Sequence, residues 1–109
     1  MEISKADWKL YREKIVGWQE NYMARLNKEY IALLSEDDKK ASEKFRELQN
    51  RIKADRRHPG VIIEMRKSNA IFDIFSLIRL DVITYDDLAD FSEELKQMVK
   101  LMLDRYNID

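Results

Sequence analysis

The residues best placed to do chemistry are cations. Arg51, Lys53, Arg56 and Arg57 crowd the approach to a Pro59-Gly60 turn, and Arg66 and Lys67 follow it closely. Side chains that bracket a turn can converge in space. Converging guanidinium and ammonium groups neutralise phosphates, which is how helical proteins take hold of nucleic acid. The same cations are also what the C-terminal dipole of a helix attracts, and Asp55 and Glu64 dilute them. The cluster is therefore a candidate contact for nucleic acid or for a protein partner, beside the plainer reading of a solvated helix end.

Two further sets have suggestive spacing. Asn69, Asp73 and Ser76 stand at i, i+4 and i+7, so a helix would place them along one line. On an apolar helix such a line is a core hydrogen-bond network, a solvent-facing edge or a small polar pocket that could sense a small molecule. Trp8, Tyr11, Trp18 and Tyr22 also repeat at helical spacing. Their rings could stack on bases or form a partner surface, although an aromatic stripe of this period more often belongs to a core.

Enzymatic chemistry finds little to work with. The single histidine, His58, sits beside proline at a helix end, which removes the Glu-x-x-His pairs of di-iron bundles and any recognisable Ser-His-Asp arrangement. There is no cysteine, hence no disulfide, thiolate ligand or thiol nucleophile. No glycine-rich phosphate loop occurs. Paired acids such as Asp86-Asp87 and Glu93-Glu94 lie at expected helix starts, where the macrodipole favours them. The expectation is a non-enzymatic protein with no catalytic residue, no cofactor and no metal.

The elements that must position these residues are helical. Two glycines and one proline among 109 residues leave few turns, and 45% hydrophobic with 38% charged residues suits helices with one apolar face. Trp8, Tyr11, Ile15, Trp18, Tyr22, Leu26, Tyr30 and Leu33 are spaced by three or four, predicting a first helix over Lys5 to Leu34. Ser35 to Asp38 interrupts it and supplies a fresh cap. Ala41, Phe45, Leu48 and Ile52 then predict the apolar stripe of a second helix ending near Arg57, before His58-Pro59-Gly60. Val61 to Leu80 is apolar nearly all round and predicts a buried third helix, although the β-branched Val61 to Ile63 also suits a strand. Thr84 with Asp87 reads as a capping box, and Leu88, Phe91, Leu95, Met98, Met102 and Tyr106 carry a fourth helix, kinked or split near Ser92. Short connections make the expected fold an all-α, four-helix up-down bundle forming a single domain over residues 1–109.

Charge is unevenly spread under a net −1. Residues 51–80 hold seven basic and three acidic side chains, +4, whereas 81–109 hold three and eight, −5. Such polarity can serve docking to another protein or to a second copy. No stretch longer than six residues lacks Asp, Glu, Lys and Arg, so no membrane contact is expected. Met1 to Ala6 lacks the charged-then-apolar pattern of a secretory signal, which points to the cytoplasm.

The runs Trp18-Gln19-Glu20-Asn21-Tyr22-Met23, Leu26 to Leu34, His58-Pro59-Gly60-Val61, and Ile83-Thr84 through Phe91-Ser92-Glu93-Glu94-Leu95-Lys96 resemble a family of small all-helical proteins of Gram-positive, Firmicutes-type gut bacteria. Some of these carry a multidrug-transporter label, which the lack of any spanning stretch contradicts here. The resemblance covers nearly the whole chain. It implies a bacterial, free-standing helical domain and brings no catalytic or binding residue with it. The functional expectation is a protein-interaction or regulatory module, with nucleic-acid binding and small-molecule sensing as alternatives.

Overall fold

The structure, a computed structural model, describes residues 2–107. It is all-helical, with α1 (Lys5–Leu34), α2 (Ala41–Asp55), α3 (Ala70–Arg79) and α4 (Glu93–Asn107), plus short 3-10 helices at Lys67–Asn69 and Tyr85–Leu88. No strand occurs among the described residues. The described residues cluster into two compact units: residues 2–18 with 64–107, and residues 19–63. The long α1 supplies its first turns to the former and the remainder to the latter.

In the first unit, α1 begins where Ser4 Oγ accepts the Asp7 N–H at 3.1 Å, an N-cap as its position predicts. Tyr11 and Ile15 turn inward, and Ala70, Ile74 and Leu77 of α3 meet Leu95 and Val99 of α4 in a dry core. Helix α3 ends in a Schellman motif. Val82 N–H donates to Leu77 O at 2.9 Å and Asp81 N–H to Ile78 O at 3.1 Å, with Asp81 at φ 62 taking the left-handed place usually given to glycine. The Thr84–Asp87 capping box is present, but it opens only one 3-10 turn. The chain then restarts at Ser92, whose Oγ accepts the Leu95 N–H at 3.2 Å, so the expected split falls where the serine caps α4.

Three expectations need correction here. The third helix does not begin at Val61. Pro59-Gly60 breaks the chain, and the β-branched run Val61 to Ile63 leaves residues 62–66 without regular structure, as neither helix nor strand. Helix α3 is buried along Ala70, Ile74, Phe75 and Leu77, yet Phe72 stands 59% exposed. Ser35 to Asp38 does not cap α2 either. Ser35 Oγ donates back to Ile31 O at 2.7 Å and closes α1, while Lys39 bridges Glu36 and Glu47 at 3.1 and 2.9 Å. Helix α2 therefore starts six residues after Ser35, behind Lys40, with no side-chain cap.

The second unit is a helical hairpin. Residues 19–34 of α1 and α2 run antiparallel, tied by Gln19 to Pro59 O (3.0 Å), Tyr30 to Asp55 (2.5 Å), Arg51 to Glu29 (3.1 Å) and Lys44 to Leu34 O (3.2 Å). The Pro59-Gly60 turn packs on Tyr22. A β-carbon at Gly60 would come within 2.2 Å of Tyr22 Cδ2, so only glycine fits. Leu26, Leu33 and Gly60 are buried in this unit, and α2 buries no residue at all.

Candidate functional site

The predicted basic cluster separates by role. Arg51 is engaged: it pairs with Glu29 at 3.1 Å and Asp55 at 3.7 Å and lies over the Tyr30 ring at 5.6 Å. Arg66 holds Glu64 at 2.7 Å. Lys53, Arg56 and Arg57 extend into solvent with no acidic partner among the described residues. Lys67, in the other unit, is half-buried in the 3-10 turn that precedes α3.

The polar line divides as well. Asn69 is exposed and Ser76 half-buried, whereas Asp73 Oδ2 is fully enclosed without a hydrogen-bond partner. The Tyr11 hydroxyl is enclosed and unpartnered in the same way. Burial pushes the Asp73 carboxyl up to about 6. Burial and then the Asp73 charge raise the Tyr11 phenol well above its ordinary range.

Of the aromatic stripe Tyr11 is fully enclosed, whereas Trp8, Trp18 and Tyr22 are half-buried. Trp8, Tyr11, Trp18 and Phe91 form a chain of tilted rings 6.0–6.3 Å apart inside the first unit. Tyr22 lies in the second unit, stacked on His58 at 4.6 Å and 9°. His58 Nδ1 accepts the Gly60 N–H at 3.0 Å, and burial holds the imidazole below its usual value. Among the described residues no group of three or more His, Asp and Glu side chains is arranged to hold a metal ion.

The surface that best suits a binding role is the apolar stripe of α2, which is open: Phe45 is 69% exposed and Ile52 44%, with Leu48 half-buried between them. Together with Gln49, Lys53 and Arg56 these residues line a shallow groove of about 540 Å³. A second groove, about 320 Å³, shares Ile52 and Arg56 and is floored by Met23, Leu26 and Tyr30. Tyr30, which donates to Asp55, is pushed up to about 12 by burial and that bond, and so keeps its proton. Ile31 and Ile62 add exposed apolar area in the same unit, 64% and 63%. A sequence signal existed: Ala41, Phe45, Leu48 and Ile52 form the single apolar stripe of α2, too narrow to serve both α1 and a surrounding core.

No helix among the described residues is long and apolar enough to cross a membrane. Comparisons with family models, with curated proteins and with solved structures returned no match to this chain.

Proposed function

We propose that this chain is a non-enzymatic protein-interaction module that docks partners on the outer face of α2. One observation carries the reading: a fifteen-residue helix presents Phe45, Leu48 and Ile52 in one row yet buries none of its residues. Contiguous exposed apolar surface rimmed by charge is the usual mark of a docking face. A cytoplasmic location belongs with this reading, as does kinship with the Gram-positive helical proteins. Neither adds a residue to the site.

The test compares wild type with Phe45→Glu and Ile52→Glu as tagged baits, read by mass spectrometry. The reading requires a nuclease-resistant partner, or a second copy of the chain, that both variants lose while their circular dichroism stays helical. Unchanged capture by both variants would remove α2 from the function. The free cations Lys53, Arg56 and Arg57 favour nucleic-acid contact as a second reading. In that case retention of nucleic acid would fall steeply with salt and vanish on reversing two of those charges. A sensor pocket at Asn69 and Asp73 is third, resting on the unpartnered Asp73 Oδ2 and Tyr11 hydroxyl.

A further inference from the structure

The open face of α2 carries its own complement. We propose that it self-associates, with α2 of one copy packing antiparallel on α2 of a second so that Phe45 meets the second copy's Ile52 across a dyad near Leu48 and Gln49. This rests on the interaction-module reading and names its occupant.

Three observations favour a second copy. First, the row is nearly palindromic in shape: Phe45 and Ile52 flank Leu48 and Gln49 at almost equal distances along the helix. An isologous contact pairs residue i with j and j with i, and this spacing lets the two large apolar side chains meet each other in both halves. Second, the charges at the two ends of α2 are opposite. Residues 36–43 carry four acids and two bases, and residues 53–57 three bases and one acid. After internal pairing, Asp37, Asp38 and Glu43 outweigh Lys40 at one end, and Lys53, Arg56 and Arg57 remain at the other. Antiparallel pairing brings each acidic end toward the other copy's basic end, and it also opposes the helix dipoles; parallel pairing sets like against like. Third, α1 meets α2 through Lys44, Arg51 and Asp55, about a quarter turn away from the line of Phe45, Gln49 and Ile52. Phe45 and Gln49 therefore stay clear for a neighbour, while Ile52 also borders the groove against α1. At 1.5 Å per residue the contact would be about 22 Å long, the size of a small interface, and the association is expected in the micromolar range.

The chain has no native cysteine, so engineered thiols report the register directly. Ser42→Cys and Arg56→Cys, both at exposed positions, should form a mixed disulfide when combined under mild oxidation, and little disulfide when either is kept alone. Sedimentation equilibrium should show wild type passing from monomer to dimer as concentration rises. Phe45→Glu should weaken that association at least about 100-fold, as loss of a central anchor does. Reversing Asp37 and Asp38 to Lys should weaken it too, and adding Arg56→Glu and Arg57→Glu should restore it. A wild-type chain monomeric to about 500 µM, far above the micromolar range, would overturn the inference. So would a dimer insensitive to Phe45→Glu, or rapid oxidation of the Ser42→Cys protein alone. If the chain stays monomeric but a different protein is captured through Phe45, the self-association falls and the interaction module stands. If Phe45→Glu changes neither, both fall.

Discussion

At the scale of single residues, Asp73 and His58 are set against each other by pH. The Asp73 carboxyl titrates near 6 in the folded chain, above its ordinary range, because one oxygen is enclosed without a donor. The folded state therefore holds that proton more tightly than the unfolded chain does, and this contribution to stability grows as pH falls from about 7 toward 4. His58 runs the other way. Burial lowers its folded value below 6.5, so stability is lost as pH drops through 6.5, where the unfolded imidazole takes a proton first. Asp73→Asn removes the first effect. It should stabilise the fold at pH 7.5 by about 1 kcal/mol, discounted for a carboxyl still partly in water, and leave the His58 decline between pH 7 and 5 unopposed. Urea titrations across that range, with wild type as reference, check both the size and the sign.

Gly60 gives a second prediction at this scale. An added β-carbon would strike the Tyr22 ring, and that ring cannot simply swing away because His58 is stacked on its face. Gly60→Ala should cost about 2–3 kcal/mol, the range of a forced overpacking. The Tyr22 ring resonances should lose the shift that the imidazole imposes. An alanine variant as stable as wild type would mean that the turn does not rest on Tyr22.

At the scale of elements, one side chain joins two helix starts. Asp7 lies in the first turn of α1, where the dipole favours an acid, and is only 5% exposed. Its carboxylate accepts the Ser92 N–H at 3.0 Å and the Ser92 hydroxyl at 2.5 Å, while Ser92 Oγ in turn caps α4. In the sequence Asp7 is an acid near the start of one helix and Ser92 a residue near the start of another, 85 positions apart, with no hint that they meet. Asp7→Ala should leave the Ser92 N–H without its acceptor and lower stability by about 2–3 kcal/mol, more than an exposed acid in a first turn is worth. The first turn of α4 should lose amide protection in the same variant, which distinguishes a lost cap from a general loosening. By contrast Gly17, in the middle of α1, faces open space, so its missing side chain serves no close approach.

At the scale of the whole molecule, stability is unequally shared. The first unit contains most of the buried apolar residues, including Tyr11, Ile74, Leu77, Leu88 and Val99, which are fully enclosed. The second has a helix with no buried residue. Local opening free energies follow buried contacts, so α2 amides should exchange fastest among the four helices in dilute solution and those of α3 and α4 slowest. Raising the protein concentration should slow exchange in α2 selectively if the proposed self-association occurs. Uniform protection across all four helices would mean that α2 is held by more than the hairpin contacts.

The amino-acid sequence by itself determined the helical class, the span of α1, the Thr84–Asp87 box and the restart at Ser92, because each depends on interactions within a few residues: a 3.6-residue apolar period, a hydroxyl reaching the third amide, an acid near a helix start. It also placed the aromatic stripe on the inward face of α1. The start of α3 was legible only in part, since Pro59-Gly60 and a β-branched run argue against a helix locally while the apolar content of Val61 to Leu80 argues for one. What only the tertiary structure decided is which apolar stripes find a partner. Phe45, Leu48 and Ile52 are spaced by three and four like Ala70, Ile74 and Leu77, yet one row is largely exposed and the other fully enclosed. Periodicity states that a face seeks cover. Whether cover exists depends on the elements that pack there, and for α2 this chain brings only one side of it.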